Sequence, residues 1–215
     1  MTEFAPTQPV APVAPVVLAG RFVRLEPAEE RHRAGLAALH ADAGPRIFAN
    51  SPFAGSFDDY FDAALASSEA DAHVPFVVRA MTDDAFVGMT RLFDIHPGDR
   101  GLEIGYTWYH PAHWGGATNP ECKLLLMQYA FEACRYSRVQ LKTDARNAHS
   151  QAAMAKMGAT REGVLRHHKV LPDGRWRDSV YFSVLAEDWP DIRAGLEARL
   201  ARFSSPNGLH SAAEG

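Results

Sequence analysis

The sequence predicts a mixed α/β (α+β) domain, in which a central sheet carries helices on its faces. Three observations predict it. Residues 101–131 combine an alternating strand, a glycine-containing loop and a helix in one unit. Residues 163–185 form two alternating runs around Pro172-Asp173-Gly174, which is a strong hairpin signal. Elsewhere, apolar residues at strand spacing and at helix spacing follow one another along the chain.

The first half of the chain predicts three strands and two helices. Each helix is predicted from leucines or phenylalanines three or four residues apart, and each strand from a short apolar run. The predicted elements are a strand at 22–25, helices at 28–41 and 58–68, and strands at 76–80 and 86–93 on either side of a turn at 82–84.

A fourth strand and a helix follow in the glycine-containing unit. The alternation of Leu102, Ile104, Tyr106 and Trp108 predicts a strand buried on one face, which ends at the proline after His110 because proline cannot donate to a ladder. Asn119 is the expected N-cap of the helix, with a proline and a glutamate in its first turn.

The remaining elements complete the sheet. Residues 138–143 alternate as a fifth strand, and a helix at 147–157 is expected to be capped by Asn147 and ended by a left-handed Gly158. The last three predicted elements are strands at 163–170 and 176–185 and a helix at 188–203.

Composition limits the domain count and the class of protein. We expect one domain at 19–203, preceded by a disordered Pro/Ala-rich arm at 1–18 and followed by a flexible tail at 204–215. A net charge of −4 argues against a general nucleic-acid binder, and no apolar run is long enough to cross a membrane. Cys122 and Cys134 are too far apart on one helix to bridge, which predicts reduced thiols and a cytoplasmic protein. A monomer and a homodimer both remain open.

Four segments, taken together, resemble the GNAT superfamily of acyl-CoA-dependent N-acetyltransferases. The resemblance is closest to the RimJ/RimL-type branch of ribosomal-protein N-terminal-alanine acetyltransferases. With GRFVRLEP at 20–27 it covers nearly all of residues 20–200. The segments are EIGYTWYHPAHWG at 103–115, NPECKLLLMQYAFE at 119–132, LKTDARNAHSQAAMAKMGATREGVLR at 141–166 and LPDGRWRDSVYFSVLAEDWP at 171–190. The resemblance implies a mostly antiparallel sheet splayed between its fourth and fifth strands, with acetyl-CoA in the opening.

The glycine loop is the expected pyrophosphate site. A small loop opening a helix suits a phosphate, but from the residues alone an ordinary crossover is the preferred interpretation. The resemblance favours the former, although the usual Gln/Arg-x-x-Gly-x-Gly/Ala pattern begins here with tryptophan and has alanine for its central glycine. Backbone N–H groups bind the phosphate, so these changes need not abolish binding. The implied CoA-binding residues of this loop are Trp114, Gly115, Gly116, Ala117, Thr118 and Asn119.

Acetyl transfer to an amine requires a proton acceptor and donors for the developing oxyanion. Glu103 and Glu162 are the candidate bases, the second because RimL-type sequences carry a glutamate just after the glycine that ends this helix. Either residue could instead be an ordinary solvated strand glutamate. By analogy with the family, the oxyanion donor is a backbone N–H among Tyr106, Thr107 and Trp108.

Asn147 and Ser150 have two readings. In the resembling family this Asn-x-x-Ser pair lies near the CoA sulfur, where the serine can donate to the thiolate. Helix capping explains the same pair, and the two roles are compatible. Four basic residues could reach CoA phosphates or simply form a solvated face: Arg135, Arg138, Lys142 and Arg146.

The predicted function is N-acetyl transfer from acetyl-CoA to a primary amine, with a protein N-terminal α-amine as the acceptor implied by the resemblance. A small-molecule amine acetyltransferase and a non-catalytic acyl-CoA-binding module are the alternatives. No metal is expected, because the adjacent His167 and His168 point to opposite faces of a strand and the other histidines lack a ligand cluster.

Overall fold

A computed structural model describes residues 9–44, 47, 53, 55–69 and 73–203 of the 215-residue chain. The strands are β1 (Leu18–Ala19), β2 (Val23–Pro27), β3 (Val74–Ala80), β4 (Phe86–His96), β5 (Gly101–Tyr109), β6 (Arg138–Asp144), β7 (Thr160–Val170) and β8 (Trp176–Leu185). The helices are α1 (Arg33–Ala43), α2 (Phe57–Glu69), α3 (Thr118–Gln128), α4 (Ala148–Met157) and α5 (Trp189–Arg202). Each predicted element from residue 22 onward has a counterpart, and the fourth predicted strand is β5 because the short β1 was not predicted.

The strands form one sheet in the order β1-β2-β3-β4-β5-β6-β8-β7. All neighbours are antiparallel except β5 and β6, which run parallel and pair only over Gly101–Glu103 and Arg138–Gln140. Beyond these three residue pairs the two strands separate. This confirms the predicted mixed, mostly antiparallel sheet with a splay in its middle.

Two cores cover the two faces of the sheet. One packs α1 and α2 against β3, β4 and β5 through side chains such as Phe61, Met89 and Trp108. The other packs α3, α4 and α5 against the opposite face, where Ile104 and Leu126 are buried. The helices α1 and α2 are therefore on the face opposite to the α3 helix that follows the glycine loop.

A bulge in β5 makes the predicted alternation wrong beyond Gly105. Gly105 pairs with Arg91, and Trp108 pairs with Met89. Between these two pairs β5 therefore contains one residue more than β4. Tyr106 takes up the extra residue with a φ of 49° and is 40% exposed. Such a bulge reverses the side-chain parity, which is why Trp108 lies in the α1–α2 core although Ile104 lies in the other.

The start of α3 also differs from the prediction. Asn119 is not the N-cap: Ala117 occupies that position and makes no side-chain capping hydrogen bond. The carboxylate of Glu121 is buried and accepts from the N–H groups of Arg21, Phe22 and Val23 at 2.8, 2.6 and 2.7 Å. A long-range anchor of this kind cannot be read from local capping preferences.

The helix α4 is capped as predicted. Asn147 Oδ1 accepts from the Ser150 N–H at 3.0 Å, and Gly158 takes the left-handed conformation with a φ of 99°. Capping by Asn147 is therefore confirmed. It does not decide whether the hydroxyl of Ser150 has a further role.

The described part of the N-terminal arm lies against the domain, although we expected it to be disordered. Its prolines favour an extended backbone, and the Ala11 N–H donates to the Cys134 carbonyl at 2.9 Å. The Tyr129 hydroxyl accepts from the Ala14 N–H at 2.9 Å, and Val13 packs against the core. These contacts hold an arm that composition alone would leave free. Residues 1–8 and the predicted tail at 204–215 lie outside the described residues.

Candidate active site

Glu103 lies where β5 and β6 begin to separate. It is in the last pair of the short parallel ladder, opposite Gln140, and only 1% of it is exposed. Its Oε2 accepts from Lys142 Nζ at 2.7 Å and from Gln140 Nε2 at 2.9 Å. Burial raises the pKa of Glu103, and the opposing pull of the Lys142 ammonium is the smaller effect.

Glu162 lies on the outer strand β7, with β6 and β8 between it and β5. Arg138 holds both of its oxygens, with Nη1 at 2.6 Å from Oε1, and the Ser183 hydroxyl donates to Oε1 at 2.8 Å. The guanidinium lowers the pKa of Glu162 to about 2. The two candidate bases therefore lie at the two ends of a hydrogen-bonded chain through Arg138 and Gln140, and their pKa values shift in opposite directions.

The glycine loop and α4 approach each other across the opening. The indole N–H of Trp114 donates to the Tyr109 carbonyl at 2.9 Å, and the half-exposed ring lies 6.3 Å from the His149 ring. The backbone at Gly115 has a positive φ of 74°, which glycine adopts without steric strain. This contact brings the run from Trp114 to Asn119 close to the first turn of α4, where the predicted Ser150 lies.

The N-terminus of α3 suits an anionic ligand. The first four N–H groups of a helix lack partners within the helix, and α3 has no side-chain cap to supply one. Pro120 has no N–H, so the free donors are those of Thr118, Asn119 and the loop before them. A phosphate at this position would meet backbone donors and the positive end of the helix dipole.

The bulge places β5 backbone beside the opening. The Tyr106 carbonyl accepts from the Tyr60 hydroxyl at 3.2 Å, and the Thr107 hydroxyl lies 2.8 Å from that of Thr90. Lys123, buried on α3, reaches Thr107 Oγ1 at 3.4 Å, and burial lowers the pKa of its ammonium to about 8. A bulge turns N–H groups away from the ladder, as an oxyanion donor requires.

Several of these residues were missed or misread from the sequence. Arg138 and Lys142, which we considered for CoA phosphates, hydrogen-bond to the two candidate carboxylates instead. Their alternation on β6 could have indicated a shared face. Lys123 was not considered, and Arg91, a charge within an otherwise buried strand, was an unused signal.

His167 and His168 face opposite sides, as predicted. The His167 ring stacks on Trp176 at 4.9 Å, whereas His168 Nδ1 lies 2.8 Å from the Ser179 hydroxyl. Across residues 9–44, 47, 53, 55–69 and 73–203, no three or more His, Cys, Asp or Glu side chains are grouped so that they could hold a metal ion. No helix in the same part of the chain is long and apolar enough to cross a membrane.

Known proteins share this fold and parts of this sequence. A crystal structure of a GCN5-related N-acetyltransferase from Brucella melitensis is 26% identical with a TM-score of 0.82, covering 96% of this chain and 93% of that one. The structure of Mycobacterium smegmatis RimJ in complex with CoA-disulfide is 23% identical with a TM-score of 0.75, covering 86% and 95%, and shows the shared fold alone.

A sequence relative points in the same direction. The Bacillus subtilis (strain 168) protein provisionally named ribosomal N-acetyltransferase YdaF is 30% identical over 107 residues, which are 50% of this chain and 57% of that protein. The model of the acetyltransferase (GNAT) domain matches residues 23–160. Because this match takes in more than half of the chain, the protein belongs to the GNAT family of acetyltransferases and is an acyltransferase enzyme.

Proposed function

We propose that the protein transfers an acetyl group from acetyl-CoA to a primary amine, namely a protein N-terminal α-amine. One observation carries the proposal. The strands β5 and β6 separate between a helix N-terminus that has no side-chain cap and a buried carboxylate, so that an anion site and a proton acceptor flank one opening.

The glycine loop and α4 are the proposed acetyl-CoA site. The backbone from Trp114 to Asn119 would bind the pyrophosphate, and Asn147 and Ser150 would lie near the sulfur. The M. smegmatis protein of the same fold is described in complex with CoA-disulfide, and this supports a CoA compound as the ligand here. Ala117 restricts the loop more than glycine would, but it leaves the backbone N–H groups available.

Glu103 is the proposed base. An α-amino group has a pKa of about 8 and is partly protonated at neutral pH, so a proton must be removed before attack. The raised pKa of Glu103 brings it closer to that of the amine, whereas Glu162, with a pKa of about 2, is a weak proton acceptor. Because Glu103 is 1% exposed, we propose that a water molecule relays the proton to it.

The bond changes follow from this arrangement. The amine nitrogen attacks the thioester carbonyl carbon, a C–N bond forms, and the carbonyl oxygen becomes negative. Backbone N–H groups among Tyr106, Thr107 and Trp108 stabilise that oxygen. The C–S bond then breaks, and the Ser150 hydroxyl donates a hydrogen bond to the CoA thiolate, which takes its proton from solvent. The amine proton leaves through Glu103 to solvent.

The acceptor and the compartment are inferred from the sequence and from the name of a relative. A protein N-terminus is supported by the RimJ/RimL-type resemblance and by the name of the B. subtilis relative, which is described as ribosomal. Cys122 and Cys134 are both free, which supports a cytoplasmic location. Acetyl-CoA and the amine are the proposed partners, in a monomer or a homodimer.

The test is CoA release from acetyl-CoA by the purified protein, with and without pooled N-terminal peptides and free amines, followed by mass spectrometry of the products. Peptide-dependent release with acetyl groups on N-termini is the expected result. Release with free amines alone would indicate a small-molecule acetyltransferase. Acetyl-CoA binding without any amine-dependent release would contradict the enzymatic role and indicate a non-catalytic acyl-CoA-binding module.

A further inference from the structure

Arg91 is a buried guanidinium in the middle of β4. Only 2% of the residue is exposed. Its guanidinium carbon lies 4.6 Å from the centre of the Tyr60 ring and 4.4 Å from that of the Tyr106 ring. The charge is therefore held between two aromatic faces, one from α2 and one from the bulge of β5.

The charge of Arg91 has no anionic partner among the described residues. Its hydrogen bonds there go to Tyr60, a neutral residue: Nη2 lies 3.5 Å from the Tyr60 carbonyl, and the Tyr60 side chain also bonds to the guanidinium, whereas the buried Nε has no partner. Arg79 on the neighbouring strand β3 shows the usual arrangement. It also stacks on a ring, that of Phe86 at 4.1 Å, but it bonds to the carboxylate of Glu26 and to Asp84.

An unpaired buried charge is costly, because it has lost water without gaining a counter-ion. Cation–π contacts recover only part of that loss, because the face of an aromatic ring attracts a cation less strongly than a carboxylate does. Among the described residues, Arg91 thus lacks an anionic partner. A planar, two-oxygen anion would be such a partner, because carboxylates match the guanidinium fork.

The position of Arg91 relates it to the proposed reaction. Arg91 is paired with Gly105, which lies two residues from Glu103 on β5. The side chains of Arg91 and Glu103 are on the face of the sheet against which α2 packs. The Tyr60 hydroxyl bonds to the Tyr106 carbonyl at 3.2 Å, so the residues around Arg91 also hold the bulge. The ring of Tyr106, which stacks on the guanidinium, is 40% exposed, so that this side chain connects the buried charge with the surface.

We propose that Arg91 is a carboxylate-binding residue of the acceptor site, and that the protein prefers amines that carry a carboxylate near the nitrogen. This inference rests on the proposed function and names its substrate class. The carboxylate can come from two sources with the same chemistry. One is the α-carboxylate of a free amino acid, and the other is an acidic side chain next to the N-terminus of a peptide.

The test compares acids with their amides in the unaltered protein. One arm uses L-alanine, L-phenylalanine and L-methionine against their carboxamides. The other uses heptapeptides that begin Ala-Glu or Ser-Glu against Ala-Gln or Ser-Gln. We expect kcat/KM for the acid to exceed that for the amide by about 30-fold to 100-fold in one arm, since a buried charged donor left unpaired costs a factor of this size. The arm that shows the preference identifies the source.

Two variants connect the preference to Arg91. In Arg91→Gln the acid-to-amide ratio of kcat/KM should fall to within about threefold of one, and this ratio is the readout because any general change in rate affects acid and amide alike. Arg79→Gln is the matched control, because it removes a ring-stacked arginine of the adjacent strand and should leave the ratio unchanged. Circular dichroism of both variants verifies the fold.

A binding measurement keeps the inference testable if no acceptor is turned over. The Nε–H resonance of Arg91, assigned by its loss in Arg91→Lys, is followed by ¹⁵N NMR while the unaltered protein with CoA is titrated with N-acetyl-L-alanine, N-acetyl-L-glutamate or their amides. A saturable shift with a carboxylate and not with its amide supports the inference. Two outcomes would overturn the inference. One is a kcat/KM for acid and amide within threefold of each other in both arms. The other is an Arg91 Nε–H resonance that does not shift with any of the four probes. The first of those outcomes leaves the proposed function intact.

Discussion

The opening between β5 and β6 and the outer hairpin β7–β8 each contain a glutamate bound to a basic residue of β6, yet the two carboxylates differ. Glu103 in the opening is sealed from solvent, and its pKa is raised despite Lys142 at 2.7 Å. Glu162 on the hairpin is partly exposed, and Arg138 lowers its pKa to about 2. A basic partner alone therefore does not decide the protonation of a carboxylate; the loss of water can outweigh it.

The largest difference should appear in turnover. We expect Glu103→Gln to lower kcat by about 10²–10³-fold, because an amide cannot accept the proton of the amine. Glu162→Gln should lower kcat by less than about threefold. Acetyl-CoA binding, measured by calorimetry, should be retained in both variants. Equal losses of kcat in the two variants would show that the two glutamates do not differ in their role. Near-normal kcat in both variants would remove both residues from the mechanism.

Ser150 tests a smaller contribution on the α4 side of the opening. Ser150→Ala removes the proposed donor to the thiolate but keeps the backbone N–H that Asn147 caps, so we expect kcat to fall about tenfold at unchanged stability. Asn147→Ala, the matched variant, should instead destabilise the protein by about 1 kcal/mol through the lost cap. If Ser150→Ala keeps its maximal rate, the helix cap alone accounts for this pair.

The pH dependence of kcat should separate the partners of the two carboxylates. Glu103 accepts a proton only when ionised, so kcat should rise with pH through its raised pKa. Lys142→Met removes the ammonium that favours ionisation and should move this rise to higher pH. Arg138→Met, which alters the Glu162 pair, should leave it in place. A rise that moves in neither variant would show that another group titrates.

The smallest expected effect is on stability. The pKa of Glu162 is lowered in the folded state to about 2 from an ordinary value of 4.5, so its ion pair stabilises the protein above pH 4.5 and that contribution is lost as the pH falls toward 2. Because the pair is solvent-screened, we expect less than about 1 kcal/mol. Urea unfolding of the protein and of Glu162→Gln at pH 6 and pH 3 measures it: the difference between them should shrink at pH 3, and a constant difference would contradict the assignment.

Local patterns were sufficient for most of the fold. Apolar spacing and turn residues placed the strands and helices, and the caps of α4 at Asn147 and Gly158 followed from well-known preferences. The bulge at Tyr106 was beyond such reasoning, because an inserted residue is defined only against the partner strand. The true N-cap of α3 was missed for a related reason, since Glu121 is committed to three N–H groups about a hundred residues away.

The sequence proposed the candidate site residues but not their environments. Glu103 and Glu162 were equivalent in sequence, and only the sheet order shows that one lies at the point of strand separation and the other on the edge strand. That Arg91 has no anionic partner among the described residues was likewise invisible in the sequence, because the neighbours of a buried side chain are set by tertiary packing. The sequence thus supplied candidate groups, and the tertiary structure gives the direction in which the pKa of each carboxylate is shifted.

The separation of β5 and β6 also matters for the behaviour of the protein in storage. From Leu141 to Asp144, β6 pairs with β8 on one side, while its ladder with β5 has already ended at Gln140. The sheet therefore contains an unpaired edge in its interior as well as at its margins, and unpaired edges are templates for self-association. A molecule lying in that opening would shield the edge. We therefore expect a ligand in the opening to slow self-association of the protein in storage.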